Sequence, residues 1–430
     1  MTRIRVLSSV VCGGLLLGGP VAAADAQRAA GQTVTIRQAV DEAIRHNLTL
    51  LAERSRLAVA DAALVTARLR PNPVTSASAD HLDWLGTGFN EVNNGGPPEY
   101  ALRVDVPFER GAKRDKRIAV ASIERTIAEA EFANAVRQLQ MDVTLACIDV
   151  LAARATRTVV ADTLHALEEL SRVNRARVTA GAIPPVESTR ADVAMLQFRA
   201  NVVRADLDLA TATARLRTLL GRPVDDPVEL GDALGGPDES PVPELARVQE
   251  VALGARPDLR VLQLGRDRSI ADLRLQEANG RIDYTVGAEY RRQDGVSGRS
   301  NSLGFFFSAP LPIWNRNQGE IARAGAQGDQ AALQIDARRA EVQAEVQTAF
   351  HEFVTTRDLV TAMQRDLLKP ATSARDIAAY TYRAGASSLL ELLDAQRAFN
   401  DSMQSFLDAQ ASLRRAAARL NAAVGTEVVQ

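Results

Sequence analysis

Cysteine is almost absent: the chain has two in 430 residues, Cys12 and Cys147. That excludes a disulfide framework. Cys12 falls within an N-terminal apolar run, and lipidation there is the lesser reading because Ser9-Val10-Val11 lacks the usual leucine and small residues. Cys147 sits in a helical pattern and reads as a packed apolar side chain. No later segment holds eighteen consecutive apolar residues, which excludes a transmembrane helix, so a mature chain that enters a membrane must do so as a β-barrel. The four histidines (His46, His81, His165 and His351) are scattered, and neither His-x-x-x-His, Cys-x-x-Cys nor a phosphate-binding glycine loop occurs. No convergent acid, base, nucleophile or metal set emerges, so neither an enzyme nor a cofactor is expected. Methionines on the helical segments read as packing residues. Charge of one sign is also lacking: 51 basic residues face 53 acidic ones, so no basic patch points to nucleic acid.

A leader is present. Met1-Thr-Arg-Ile-Arg5 precedes an apolar run from Val6 to Leu17, and Val21-Ala-Ala-Ala24 supplies the small residues of a cleavage site. Residues 1–24 are expected to be a secretory signal peptide, and the remainder is then exported.

The chain repeats itself. Arg177-Val-Thr-Ala-Gly181-Ala-Ile-Pro-Pro-Val-Glu187 answers Thr381-Tyr-Arg-Ala-Gly385-Ala-Ser-Ser-Leu-Leu-Glu391, and Gly221 answers Gly425, each pair of glycines lying 204 positions apart. Gly at 181 and 385 supplies the left-handed residue that ends a helix, and Pro184-Pro185 can open the next. The expected units are a first repeat at 25–221, a Pro- and Gly-rich connector at 222–247 and a second repeat at 248–430.

Four segments alternate with period two. Glu99–Phe108 sets Tyr100, Leu102, Val104, Val106 and Phe108 against Arg103 and Asp105; Arg281–Arg291 and Ser302–Pro310 behave likewise, and Pro73–Asp80 more weakly. Their length suits tilted transmembrane strands, with Trp84–Pro98 and Gln293–Asn301 as polar loops between them. Four strands cannot close a barrel, so it must be shared between subunits. Two copies would supply eight strands with a filled interior, three would supply twelve with room for a channel, and the pattern alone allows either.

Elsewhere the sequence is helical: Ile36–Leu69, Lys113–Ala180, Val186–Leu220, Val248–Asn279, Glu320–Ala384 and Ser388–Val424. Sixty-five to seventy helical residues extend roughly 100 Å, so these helices must project. Val342, Val346, Ala349, Phe350 and Phe353 form one narrow stripe, the seam of helices packed as coiled coils. The expected fold is therefore mainly α with a contribution to a membrane β-barrel.

This layout resembles the TolC family of outer-membrane efflux ducts across essentially the whole mature chain. The residues that carry it are Leu50-Leu-Ala-Glu-Arg-Ser-Arg-Leu-Ala-Val-Ala-Asp-Ala62, Ala67-Arg-Leu-Arg-Pro-Asn-Pro73, Ser308-Ala-Pro-Leu-Pro-Ile-Trp-Asn-Arg-Asn-Gln-Gly-Glu-Ile-Ala322, Tyr382–Gln396 and Leu420–Gly425. The resemblance implies a homotrimer with a twelve-stranded barrel in the outer-membrane lipid, a helical tunnel through the periplasm, and partners in a periplasmic adaptor and an inner-membrane pump. The Pro-Leu-Pro-Ile-Trp-Asn-Arg stretch looks most like the CzcC-type branch, which serves heavy-metal exporters of the resistance-nodulation-division class. Carried over by motif position, Tyr382 is the gate tyrosine, Glu391 and Asp394 are acidic ring residues, and Glu187 is the acidic partner in the first repeat. Ser387 stands where the best-known members have a gate arginine, which places an arginine-centred latch in doubt. The tips at Gly181 and Ala182 and at Gly385, Ala386 and an exposed Leu389 are expected to meet the adaptor. Two other functions fit less well: a duct for drug efflux or type I secretion, and a soluble helical-hairpin adaptor, which would need one hairpin and a β-rich body.

Overall fold

The computed structural model describes residues 33–86, 96–235, 241–295 and 298–429. The expected signal peptide at 1–24, with Cys12, lies outside them, as do parts of the expected loops at 84–98 and 293–301 and of the expected connector at 222–247. The elements run α1 (Ile36–His46), α2 (Leu48–Arg68), β1 (Val74–Asp80), β2 (Glu99–Phe108), α3 (Lys113–Thr179), α4 (Pro185–Leu220), α5 (Leu245–Ala255), α6 (Pro257–Asn279), β3 (Tyr284–Gly295), β4 (Gly298–Ser308), α7 (Gln318–Asp366), α8 (Leu368–Arg383) and α9 (Leu389–Val424). Each half thus has two short helices, two strands and a long helical hairpin.

α3 runs unbroken for 67 residues because no Gly or Pro interrupts it, a length of about 100 Å. Three expected helices are instead divided. Ile36–Leu69 breaks at Asn47, whose Oδ1 accepts from the Leu50 amide at 3.0 Å and caps α2. Val248–Asn279 breaks at Arg256 because Pro257 follows it and takes the first helical position of α6. Glu320–Ala384 breaks at Leu367, since Pro370 has no amide to donate to the Asp366 carbonyl.

The four strands form one antiparallel sheet in the order β1-β2-β3-β4. β2 has the expected bounds. β3 starts later than expected, at Tyr284, because Asp283 is drawn aside to the Arg110 amide at 2.8 Å and Lys113 Nζ at 2.6 Å. The loop expected over Gln293–Asn301 is mostly strand, with β3 and β4 paired out to Gly295 and Gly298. Register places Leu102 beside Tyr290 and Tyr290 beside Leu303, and sets Val104, Ala288 and Phe305 in the next row. The rings of Phe108, Tyr284 and Phe307 stack at 5.3 and 5.8 Å between centroids. This face is apolar and open: Leu303, Phe305 and Phe307 are 65%, 79% and 72% exposed. The opposite face is polar. Arg103 pairs with Asp105 at 2.8 Å and lies over the Phe306 ring at 4.0 Å, while Gly287 leaves the room that Asp105 occupies.

The helices form an open layer. Near the strands α2 packs on α3, α3 on α6 and α6 on α7; further away the order is α4, α3, α9 and then α7 with α8. Val342, Val346, Ala349 and Phe353 are buried against Phe406, Leu413 and Leu420, so the expected seam is met. A second core joins Val143, Ala146 and Cys147 to Leu216, Leu220 and Ala411. The outer helices keep apolar residues uncovered. On α4 these are Val186, Val193, Leu196, Val203 and Leu207, at alternating steps of seven and three or four. The connector is tied down: Arg154 donates to the Leu230 and Asp232 carbonyls at 2.7 and 2.6 Å, and the Ile36 amide donates to Asp232 Oδ2 at 2.6 Å.

Candidate gate and hairpin tips

Both hairpins end in the same hydrogen-bonded turn. In the first, the Ala182 amide donates to the Arg177 carbonyl at 2.8 Å and the Gly181 amide to that of Val178 at 2.9 Å; in the second, Ala386 donates to Thr381 at 2.9 Å and Gly385 to Tyr382 at 3.1 Å. Gly181 and Gly385 have φ of +70° and +75°, and a Cβ on either would meet nothing within 4 Å. Glycine is therefore required there for its backbone conformation and not for space. Gly181, Ala182, Gly385 and Ala386 are all exposed. Leu389 is not: it is 2% exposed and packs with Leu167, Ala191, Ala194, Tyr382, Leu392 and Leu393, so the expectation of an exposed Leu389 is corrected. It opens α9 on the inward side of the Ser388 cap, and the leucine left in solvent is Leu390, 55% exposed.

The second tip is fastened to the first hairpin. The Tyr382 hydroxyl donates to Asn174 Oδ1 at 2.9 Å, deep enough that Tyr382 is 5% and Asn174 0% exposed. Burial pushes the Tyr382 pKa up, the Asn174 bond opposes this, and the nearby Glu187 carboxylate adds to the rise. Arg177 approaches the Tyr382 ring at 5.8 Å and donates to the Arg383 carbonyl at 3.4 Å. Ser387 stands 2.9 Å from the Thr381 hydroxyl and closes the turn on its own side. Tyr382 and Glu187, far apart in sequence, are thus brought together.

Glu391 and Asp394 are not part of that cluster. The Glu391 amide is capped by Ser388 Oγ at 3.3 Å, both carboxylates are exposed, and Asp394 lies 4.0 Å from Arg397. They share one face of α9. Asn174 escaped the sequence reading. Its signal was an amide in line with Leu167 and Ser171 on a seam, where a polar residue enforces register. Two more polar rungs follow the same logic: Ser171 donates to Asp192 at 2.5 Å, and Thr163 to Asn400 at 2.8 Å. An apolar cleft of about 550 Å³ opens beside Tyr382, lined by Leu167, Leu170, Val173, Leu392 and Leu393 with Arg177 and Arg383 at its rim.

Among the described residues no group of carboxylates, histidines or cysteines is placed to hold a metal ion, and no helix is long and apolar enough to cross a membrane. Cys147 is buried and its thiol pKa is pushed up to about 12 by burial first and by Asp232 second, which leaves it unreactive.

Comparison with known proteins agrees with this architecture. The family described as outer membrane efflux protein matches residues 39–222 and 248–426. The cobalt-zinc-cadmium resistance protein CzcC of Cupriavidus metallidurans is 24% identical over 399 residues, covering 93% of this chain and 91% of its own. The cation efflux system protein CusC of Escherichia coli is 26% identical over 239 residues, 52% of this chain and 48% of its own. The crystal structure of the Campylobacter jejuni CmeC outer membrane channel superposes with a TM-score of 0.75 at 14% identity, over 100% of this chain and 96% of that one.

Proposed function

The chain belongs to the outer membrane efflux protein family, a channel type and not an enzyme family, and from that premise we propose that three copies close into one conduit for heavy-metal cations. One observation supports closure above all: sheet and helical layer are both open-edged, with one face of the sheet and the outer side of α4 left apolar and uncovered. Three sheets supply twelve strands, with Leu303, Phe305 and Phe307 toward lipid and Arg103 and Asp105 toward a wet lumen. The helical layers continue as a tunnel into the periplasm. There Tyr382 and Glu187 hold the second tip on the first hairpin, and three copies of Glu391 and Asp394 make a negative ring that favours cations. Gly181, Ala182, Gly385 and Ala386, with Leu390 in the place expected of Leu389, meet a periplasmic adaptor that joins the duct to an inner-membrane pump of the resistance-nodulation-division class. The metal cargo follows two of the relatives, one a cobalt-zinc-cadmium resistance protein and the other a cation efflux system protein.

Growth of a deletion strain across graded cobalt, zinc, cadmium, copper and silver, beside a panel of dyes and antibiotics, tests the cargo. Metal sensitivity rescued by this gene supports it; sensitivity confined to organic compounds keeps the duct and removes the metal assignment. In planar bilayers, Glu391→Ala with Asp394→Ala is expected to lower cation over anion selectivity, and unchanged selectivity would return both carboxylates to the role of solvated surface charges.

A further inference from the structure

At the helix-side ends of the strands the charge is strongly one-sided. The windows 68–70, 109–117, 279–283 and 311–316 hold nine basic residues against three carboxylates. At the opposite strand ends the described residues hold four carboxylates, Asp80, Asp83, Glu99 and Asp294, against two basic residues, Arg292 and Arg299. Each strand has its own arginine on the helix side: Arg70 before β1, Arg110 after β2, Arg281 before β3 and Arg316 after β4. All four are exposed and, among the described residues, none of their guanidinium groups has a carboxylate partner, that of Arg316 donating to the Pro312 carbonyl at 3.2 Å. Two of the three carboxylates are already engaged, Glu109 by Arg117 and Asp283 by Lys113. The four segments that carry these arginines adjoin one another, so the arginines share one end of the sheet as a belt. The Arg281 side chain lies against Gly111, the Arg316 carbonyl against Gly280, and Arg114 donates to the Arg68 carbonyl at 2.6 Å beside Arg70.

Beside the belt stands an uncovered apolar ridge. Leu311, Ile313 and Trp314 are 78%, 60% and 84% exposed, directly after β4 and its open apolar face. The ridge is braced: Asn317 Nδ2 donates to the Gln276 carbonyl at 2.7 Å, and Gln318 Nε2 donates to that of Trp314 at 3.0 Å. A braced tryptophan ridge that follows an open apolar sheet face, at the strand ends that carry exposed guanidinium groups without carboxylate partners, matches a phospholipid surface, where the indole sits at headgroup level and arginine forks bind phosphate.

We propose that this belt binds the phosphate headgroups of anionic phospholipids in the periplasmic leaflet of the outer membrane, with Trp314 seated among them. This rests on the barrel reading above. Three copies repeat the belt around the barrel and hold its depth in the bilayer. Charge complementarity favours lipid over a second copy of the chain, because an identical belt would meet its own charge.

The two tryptophans of the chain, Trp84 and Trp314, allow a direct test. The full protein with Trp84→Phe is reconstituted in phosphatidylcholine vesicles doped with brominated phosphatidylglycerol or brominated phosphatidylcholine at equal mole fraction. Trp314 quenching is expected to report at least about a fivefold preference for phosphatidylglycerol in low salt, reduced at high salt. The Arg70→Gln, Arg110→Gln, Arg281→Gln and Arg316→Gln combination is expected to bring the preference within about twofold while the protein still floats with vesicles. Equal quenching by the two lipids overturns the headgroup assignment and leaves the barrel standing. Absence of quenching by either lipid in floating vesicles places Trp314 against protein and overturns the proposal. Failure to float with vesicles overturns the proposal and the barrel reading together.

Discussion

The two halves close the same joint with different chemistry. In the first half the break between α1 and α2 is closed by a neutral amide: Asn47 Nδ2 donates to the Leu219 carbonyl at 2.9 Å, and Gly221, φ +70°, presses against His46. In the second, the break between α5 and α6 is closed by a guanidinium with only 1% of its side chain exposed. Arg256 donates to the Ala423 carbonyl at 3.1 Å and to Asp258 at 2.6 Å and pairs with Glu345, while Gly425 packs on Ala255. Arg338 reaches Asp258 at 2.7 Å, and Arg137 caps the Ala422 carbonyl at 2.6 Å. The lesson is that a returning helix needs its last carbonyls satisfied, and that either an amide or an ion network does so. The network demands more partners. Losing one member strands buried charge, whereas losing the amide strands a single carbonyl.

The largest expected effect therefore follows Arg256→Ala, which leaves Asp258 and Glu345 short of a partner and costs about 3 kcal/mol. A denaturant midpoint in detergent no lower than wild type would show the network to be dispensable. Acid should separate the halves next. Burial alone would raise the Asp258 pKa, but hydrogen bonds from Arg256 and Arg338 outweigh it and hold the carboxylate well below its usual range. A depressed folded pKa gives stability that is complete above the unfolded value of about 4 and is lost as pH falls through the folded value. Stability measured from pH 7 to 3 should thus fall below about pH 4, and Asp258→Asn should flatten that fall. Asn47→Ala is expected to cost about 1–2 kcal/mol through the lost α2 cap and the orphaned Leu219 carbonyl, with no added acid sensitivity. A loss equal to that of Arg256→Ala would erase the contrast between the joints.

The tips sharpen the comparison from the other end of the molecule. Tyr382→Phe removes the bond to Asn174, costs about 1 kcal/mol and should raise conductance in planar bilayers if that bond holds the second tip closed. Gly181→Val and Gly385→Val should each cost only about 1–2 kcal/mol, and equally, because φ is alike and neither site is crowded. Crosslinking to the adaptor that fails in one variant and survives in the other would show that a single tip makes the contact.

Much of this was legible locally. β2 keeps its expected bounds because alternation over Glu99–Phe108 is uninterrupted, and both tips were readable from Ala-Gly-Ala. Pro257 and Pro370 marked two helix breaks that the strong helical pattern around them concealed. Asn47 carried a weaker signal, since an asparagine can cap a helix or ride on its surface. Asn174 and Leu389 were hidden for another reason: which seam residue meets Tyr382, and which of two adjacent leucines turns inward, depends on a contact across about 200 residues of chain.

The sequence by itself determined the strands, the long helices, the turns and their duplication, because periodicity and turn chemistry act within a few residues. Only the tertiary structure decided which polar groups are buried and which arginines stay unpaired. Those outcomes turn on distances between segments far apart in the chain, where a guanidinium near a carboxylate is a strut and one without it is a free charge at a surface.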